Sequence, residues 1–439
     1  MINILPNIIF SILLITSVGF FIYNIKKLIA VIKLGKTIDR SDNPKKRLSN
    51  MIRIALGQSK MVTKPISGFL HVIVYIGFII INIELLEILI DGVTGSHRFF
   101  SKYFNTNFYN FLIASFEILA LLVLISVILF WTRRNIVKIK RFLSNEMKGW
   151  PKFDADNILY FEIVLMLLFL SMNATDLILQ ERNFEGYYKA GSFPVSSFIV
   201  PLFDSFETST VYLFERVFWW LHIIGIFFFL NYLYYSKHLH ILLAFPNTYY
   251  ANLENKGKFG VLESVKNEVM LMFYPEKASQ SNGNVDKFGA SDVLDLNWVQ
   301  LMNAYSCTEC GRCTSECPAN LTGKKLSPRK IMMDTRDRLE KVSKNISVNK
   351  GKFVDDGDRL LDNYITKEEL WACTSCNACV EACPISIDPL SIIMEMRQYL
   401  IMEESSAHPD LNNMMNNIEN NGAPWPYNQQ DRELWIQES

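Results

Sequence analysis

The sequence predicts an all-α protein in which a bundle of five transmembrane helices is followed by a cysteine-rich helical domain. Two observations lead to this prediction: five long apolar runs lie in the first 235 residues, and all eight cysteines lie between residues 307 and 383. A secreted disulfide scaffold would not concentrate its thiols in this way. The 44 basic and 44 acidic side chains give a formal net charge of zero, which argues against nucleic acid as the main partner.

Each of the five apolar runs is close to the roughly 20 residues that a membrane-spanning helix needs. The fourth run, which contains Glu162, meets this length least clearly. Buried helices of a large soluble protein are the alternative, which the same length rule disfavours. The five runs cover residues 5–25, 66–90, 108–131, 158–176 and 211–235.

The Lys and Arg residues alternate between the two ends of the predicted bundle. Loops 26–64 and 132–157 are rich in them, whereas the connections 91–107 and 177–208 contain two each. Because Lys and Arg concentrate in cytoplasmic loops, we expect a multi-pass protein of the cytoplasmic (inner) membrane with its N-terminus outside. The cysteine-rich domain then lies in the reducing cytoplasm. No basic residue precedes the first apolar run, so a cleavable signal peptide is not expected.

Composition divides the chain into four predicted segments. The polar, glycine-containing stretch 278–286 is typical of a flexible linker. The tail is rich in Asn and Met, and we expect it to be a partner-docking segment. The segments are 1–243 (membrane domain), 244–289 (connector), 290–402 (cysteine-rich domain) and 403–439 (polar tail).

Two twelve-residue runs, CTECGRCTSECP (307–318) and CTSCNACVEACP (373–384), contain all eight cysteines. Their spacing is that of ferredoxins with two [4Fe–4S] clusters, in which the fourth cysteine of each run ligates the other cluster. Two zinc sites of four thiolates each are the alternative, which the duplicated run disfavours. The predicted ligands are Cys307, Cys310, Cys313 and Cys383 for one cluster, and Cys373, Cys376, Cys379 and Cys317 for the other.

Helix-capping signals surround both runs. Ser327-Pro328 and Asp388-Pro389 each supply an N-cap residue and a proline at the first helical position. Thr366 begins a capping box that leads into the second run. The last cysteine of the first run and the first cysteine of the second are separated by 55 residues, whereas compact bacterial ferredoxins use a much shorter spacer and β-hairpins. We therefore predict an α-helical ferredoxin domain.

Four of the six histidines lie in or beside the second and fifth predicted membrane helices. His71 is near the cytoplasmic end of helix two and His222 is near the middle of helix five, while His238 and His240 lie where helix five leaves the membrane. Ionisable groups at membrane depth are usually functional, and neutral imidazole is a common ligand of haem iron.

We predict one haem b between His71 and His222, although depth favours His240 or His238 as the partner of His71. A continuous helix would place His222 and His240 on one face, about 27 Å apart. For His238 and His240 an interfacial position among lipid head groups is the alternative. Acidic residues at membrane depth either deliver protons or are paired charges.

The five-helix half is similar to the gamma subunit of respiratory nitrate reductase, a dihaem cytochrome b. That family uses two His on helix two and two on helix five, the latter 18 residues apart. His222 and His240 match the helix-five pair, and His71 matches one ligand on helix two. Met61 stands where the other ligand, ten residues earlier, would be. The resemblance therefore implies one haem here, with His71, His222 and His240 as candidate ligands.

The stretches 234–247 (YYSKHLHILLAFPN) and 288–331, with the tail ENNGAPWP…DRELW (419–435), resemble a narrower group. These are membrane-bound iron–sulfur oxidoreductases related to heterodisulfide reductase, which include electron-transfer-flavoprotein:menaquinone oxidoreductases. In that group the tail leads into a cysteine-rich domain with CCG signatures. No cysteine follows Cys383 here, so we expect the CCG domain to be a separate polypeptide partner.

The resemblance implies an oxidoreductase subunit that is active with a partner subunit. Electrons from a flavoprotein or a CCG-domain protein would pass through two [4Fe–4S] clusters and haem b to menaquinone. Two alternatives remain: a ferredoxin-type membrane accessory protein for oxidase or cofactor assembly, and a haem-free membrane anchor for a ferredoxin module. No catalytic residue is assigned.

Overall fold

The protein is built from helices in the part of the chain that its computed structural model describes. No β-strand occurs in that part, which confirms the predicted all-α class. The linker predicted at 278–286 lies outside it. The described residues are 4–255, 257–258, 260–261, 263–277, 287–426 and 428–437.

Five helices of the first half are long and apolar enough to cross a membrane, as predicted. The helices of this half are α1 (Leu5–Ile32), α2 (Pro44–Met51), α3 (Pro65–Thr94), α4 (Thr106–Asn135), α5 (Trp150–Glu181), α6 (Thr208–Tyr232) and α7 (His240–Tyr249). The candidate spans are α1, α3, α4, α5 and α6, and a 3-10 turn continues the last of them to Tyr235. Each span is longer than the apolar run that predicted it.

Two glycines allow the helices of the bundle to approach closely. A Cβ at Gly92 of α3 would lie 2.6 Å from the ring of Phe10 on α1, and one at Gly225 of α6 would lie 2.8 Å from Leu165 on α5. Small residues at such contacts permit close packing between membrane helices. The contact at Gly225 keeps α5 and α6 side by side next to the histidine on α6.

The cysteine-rich half consists of short helices around an apolar core. The predicted capping signals are confirmed: Ser327 and Asp388 accept the backbone N–H groups of Lys330 and Ser391, and Thr366 forms its capping box. The helices of this half are α8 (Glu263–Phe273), α9 (Trp298–Ser306), α10 (Arg312–Ser315), α11 (Pro318–Leu321), α12 (Pro328–Val348), α13 (Lys367–Trp371), α14 (Ala378–Ala382), α15 (Pro389–Met402), α16 (Pro409–Asn421) and α17 (Leu434–Gln437).

The cysteine-rich domain packs against one end of the bundle. Asn247, which follows the last span, donates to a carbonyl of this domain over 2.7 Å. The buried Arg329 donates to the carbonyl of Arg141 in the loop after α4 (2.7 Å), and Arg312 donates to the carbonyl of Lys60 before α3 (3.1 Å). Both loops that are rich in Lys and Arg therefore contact this domain.

The last membrane helix does not continue to His240, so the expected common face of His222 and His240 is wrong. Ser236 follows the helix in an extended conformation, with φ −111° and ψ 151°. The Asp154 carboxylate of α5 accepts the backbone N–H of Lys237 over 3.0 Å. This contact with a neighbouring helix fixes the chain in a new turn, and a separate helix begins at His240.

Candidate iron–sulfur and haem sites

Cysteines from both runs meet at one cavity. Cys307, Cys310 and Cys313 of the first run and Cys383 of the second run line it, and Cys379 borders it. The structure thus brings together the four residues predicted to bind the first cluster. Four thiols around one cavity fit a cubane cluster, which is held by four thiolates. Which cysteine binds which cluster stays a prediction.

The second predicted ligand set also combines the two runs. Burial raises the pKa of Cys379 to about 12, and negative charge at Asp388, Cys373 and Cys317 contributes to the rise. Cys317, which belongs to the first run, therefore lies close to two thiols of the second run. Cys376 is exposed, whereas Cys317 and Cys379 are buried. This set of cysteines consequently has one edge at the protein surface.

The two runs repeat the same backbone turn around their cysteines. Glu309 and Gly311 have φ values of 55° and 71°, and the equivalent Ser375 and Asn377 have values of 56° and 61°. Successive residues in right- and left-handed conformations direct their N–H groups into a concave anion site. The N–H of Ser375 donates to the Sγ atom of Cys373 over 3.4 Å. The turns therefore supply hydrogen bonds to cysteine sulfur.

Burial raises the pKa of three thiols of the first set, those of Cys307, Cys313 and Cys383. Burial, and then negative charge at Glu309, Cys310 and Cys383, raises the pKa of Cys307 to about 12. Among the described residues no group of three or more His, Cys, Asp or Glu side chains is arranged to hold a single metal ion. Because iron binds the thiolate form, loading a cluster here displaces the thiol protons.

Two histidines from different parts of the membrane half face each other. The ring centroids of His71 on α3 and His240 on α7 are 6.4 Å apart, and the ring planes are inclined at 43°. Two imidazoles bound to opposite faces of one iron through bonds of about 2 Å have ring centres about 6 Å apart. The separation of these two rings therefore fits a haem iron between them.

The surroundings of His240 orient its ring for ligation through Nε2. Its Nδ1 donates to the carbonyl of Lys237 over 3.1 Å, a hydrogen bond typical of metal-binding histidines. Burial lowers the pKa of His240, although this hydrogen bond opposes the shift, so the imidazole is held in the neutral form that binds iron. In the described part of the chain, the buried Nδ1 of His71 has no hydrogen-bond partner.

The structure does not bring His71 together with His222, the pairing that we expected first. The Nδ1 of His222 donates to the carbonyl of Leu165 on α5 over 3.0 Å, and none of the ring contacts between described residues joins His222 to His71. From the depth of His71 in the membrane we expected His240 or His238 as an alternative partner. The structure places His240 next to His71. The ligand roles of all three histidines stay predictions.

Met61 does not lie on helix two, although the resemblance expects a second ligand there. It precedes the first residue of α3, and its carbonyl and Sδ accept hydrogen bonds from Arg312 over 3.1 and 3.0 Å. Arg312 belongs to the first cysteine run. The position that holds a haem ligand in the resembling family thus contacts the cysteine-rich domain here.

The acidic residues at membrane depth are mostly paired. Glu84 forms an ion pair with Arg98 over 3.0 Å, and Glu215 accepts a hydrogen bond from Tyr187 over 2.7 Å. Glu162 instead faces the Nε2 of His238 at 3.8 Å, beside the His71–His240 pair. His238 thus lies beside a carboxylate and the histidine pair, and its interfacial position stays a prediction.

Lys237 and Glu309 connect the histidine pair to the first cysteine run. The Lys237 ammonium bonds the carboxylate of Glu309, which lies between two predicted cluster ligands, and the Lys237 carbonyl accepts from His240. Burial alone would raise the pKa of Glu309, but Lys237 and Arg336 hold it below its usual value. The sequence did not lead us to predict a role for Lys237 or Glu309. The one sign of it is that Glu309 is charged, whereas Ser375, at the equivalent position of the second run, is not.

The fold and the cysteine turns define the class of protein. The 4Fe-4S dicluster domain model matches residues 306–387, which include both cysteine runs. The chain therefore combines five apolar helices with a dicluster iron–sulfur domain, as predicted. No solved structure matches it.

The chain is similar to iron–sulfur oxidoreductases, as the resemblance predicted. It is 28% identical to the probable iron-sulfur-binding oxidoreductase FadF of Bacillus subtilis and 25% identical to the EtfAB:quinone oxidoreductase of Syntrophomonas wolfei. These matches cover 96% and 97% of this chain and 59% of each relative. The chain thus spans about three fifths of the length of these relatives.

A shorter match concerns a probable membrane-anchored ferredoxin of Chromohalobacter salexigens. It is 32% identical over 27% of this chain and 20% of the relative. Subunits of Methanosarcina heterodisulfide reductases also match part of the chain. The relatives are thus oxidoreductases, oxidoreductase subunits and a ferredoxin.

Proposed function

We propose that this chain is the membrane subunit of a quinone-linked iron–sulfur oxidoreductase. It passes electrons from a flavoprotein or CCG-domain partner to a quinone of the menaquinone type. Residues 1–243 form the membrane domain and residues 290–402 the ferredoxin domain, which faces the cytoplasm. The observation that carries the proposal is the His71–His240 pair, connected through Lys237 to the first cysteine run.

The clusters and the haem, when bound, supply one-electron transfer, and the chain positions them. The thiols of the two cysteine runs hold the clusters, and the imidazoles of His71 and His240 hold one haem b. Arg312 and Lys237 place positive charge next to the first run, where four thiolates would otherwise accumulate negative charge. Hydrogen bonds and charge near a cluster set its reduction potential.

The exposure of the cysteines suggests the order of the relay. Cys376 in the second ligand set is exposed, so a partner protein can approach this cluster closely. The first ligand set contains the buried Cys307 and Cys383 and lies beside Arg312, which contacts the loop before α3. The second cysteine set would therefore hold the cluster that a partner reduces, and the first set would hold the cluster nearer the histidine pair.

Reoxidation by a quinone tests the proposal. The full chain, purified anaerobically and reduced with dithionite, is mixed with a short-chain menaquinone analogue while cluster absorbance is recorded. We expect rapid reoxidation of the wild type and at least about 100-fold slower reoxidation of His240→Ala at unchanged acid-labile sulfide content, which reports the clusters alone. His408→Ala, in the exposed tail, is the control. Equal rates for all three proteins would overturn the proposal.

The membrane-anchored ferredoxin is a second candidate function, which the match to the Chromohalobacter salexigens protein favours. In that role the bundle only retains the ferredoxin domain at the membrane. A soluble acceptor would then reoxidise the clusters as fast in His240→Ala as in the wild type, and the quinone analogue would have no effect on either.

A further inference from the structure

A lateral groove between the first and last membrane helices has the properties of a quinone site. Its volume is about 470 Å³, which lies in the usual range of small-molecule sites. Leu13 and Phe20 of α1 and Ile224 and Phe228 of α6 contribute to its walls, and all four are at least one-third exposed at the surface of the bundle. An isoprenoid quinone dissolved in the bilayer reaches such a groove without crossing polar surface.

The groove lies at the end of α6 that is next to the histidine pair. Tyr232 and Tyr235 line it, and the chain reaches His240 only five residues after Tyr235. Phe229, adjacent to the groove-lining Phe228, has its ring centroid 5.6 Å from that of His238. The groove therefore lies at the end of α6 from which the chain continues to the histidine pair, and not at the opposite end of the bundle.

Two side chains of the groove, Asn231 and Tyr232, carry oxygen atoms that can accept hydrogen bonds. The amide nitrogen of Asn231 donates to the hydroxyl of Ser17 (2.9 Å) and to the carbonyl of Phe227 (2.9 Å), which fixes the amide orientation. Its Oδ1 is buried and has no hydrogen-bond partner in the described part of the chain. A buried acceptor without a hydrogen-bond partner destabilises the protein, and a ligand hydroxyl that donates to it removes this cost.

Tyr232 adds a second acceptor. Its hydroxyl proton is used in a 2.7 Å hydrogen bond to Asp154, which is itself buried and also accepts the backbone N–H of Lys237. Asn157 is a further hydrogen-bond partner of this hydroxyl, so the Tyr232 oxygen has one lone pair left to accept from a ligand. A quinol offers two hydroxyl donors, whereas a quinone offers only carbonyl acceptors.

We propose that the groove lined by Ile224, Asn231 and Tyr232 binds the head group of a membrane quinone and prefers its reduced, quinol form. This inference rests on the proposed quinone reduction and adds its site. One hydrogen bond gained by the quinol changes affinity by about two- to tenfold. We therefore expect the quinol to bind at least about twofold more tightly than the quinone.

Photolabelling and reoxidation kinetics together test the site. A photoreactive menaquinone analogue is crosslinked to the full chain, and its quinol and quinone forms compete for labelling. We expect label in segments 13–20 and 224–235, and stronger competition by the quinol. Ile224→Trp, which fills the groove, should raise the half-saturating quinone concentration at least about tenfold. The matched control Ile125→Trp, equally exposed on α4, should change it less than twofold.

The outcomes separate the site from the proposed function. Label at the other end of the bundle, or equal kinetics of both Trp variants, overturns the site while quinone reduction stands. The site is also overturned if lipid acyl chains displace the label from the groove and the quinol does not. Groove label that the quinol displaces, in a protein that quinone does not reoxidise, supports the site and overturns the function. If the groove is not labelled and quinone does not reoxidise the protein, the site and the proposed function are both overturned.

Discussion

The ion pairs of Glu309 give the sharpest test of how the ferredoxin domain is joined to the membrane bundle. Its carboxylate, 2% exposed, pairs with Lys237 of the bundle and with Arg336 of α12. Glu309→Gln therefore removes the nearest anion from two largely buried cations and leaves only Asp154, 4.0 Å from Lys237, and the exposed Asp337 beside Arg336. Removing one partner of a buried ion pair costs about 3–5 kcal/mol. At about 2 °C per kcal/mol for a large domain, we expect the melting temperature to fall by about 6 °C or more.

A matched variant in the same cysteine run controls for the loss of charge. Glu316 pairs with Lys64 over 2.9 Å, but their side chains are 44% and 51% exposed. Surface pairs contribute about 0–1 kcal/mol, so Glu316→Gln should change the melting temperature by at most about 2 °C. Both are measured by thermal unfolding of the detergent-solubilised chain. If both variants lower the melting temperature by the same small amount, the claim that buried ion pairs of Glu309 join the two domains is refuted.

Three further predictions concern the same domain. Because the pKa of Glu309 is held below its usual value, its contribution to stability is complete above about pH 4.5 and is lost as the pH falls below it. Melting curves of the wild type and Glu309→Gln should therefore converge in acid, and a constant difference would contradict this. Cys383→Ser should remove about half of the bound iron while the second cluster keeps its electron paramagnetic resonance signal; loss of that signal instead would contradict the crossed ligation. Arg397 donates to the Cys373 carbonyl over 2.5 Å, so Arg397→Met should lower the midpoint potential of the second cluster in a redox titration, and an unchanged potential would count against this role.

The membrane helices and the cysteine turns were predictable because their signals are local. A run of about 20 apolar residues needs no knowledge of its neighbours to be identified as a spanning helix. The spacing of the cysteines within each run likewise predicts cluster ligation without knowledge of the rest of the chain. The caps at Ser327 and Asp388 depend on side chains and N–H groups within three residues of each other, and they form as expected.

The arrangement of the candidate haem ligands was less predictable because it depends on contacts between distant segments. The turn after α6 is fixed by Asp154, which is 83 residues from Lys237 in the chain. Helical periodicity continued past Tyr235 and therefore indicated the wrong relation between His222 and His240. Glu309 occupies a variable position of the cysteine motif, so only the structure reveals that it pairs with Lys237.

A reduced-minus-oxidised visible spectrum tests the central claim most directly. The wild type, His71→Ala, His240→Ala and His222→Ala are purified anaerobically and reduced with dithionite. The account predicts sharp b-type haem bands in the wild type and in His222→Ala, and their loss in His71→Ala and His240→Ala. Broad iron–sulfur bleaching alone in the wild type would contradict it, as would bands that survive in His240→Ala and disappear in His222→Ala.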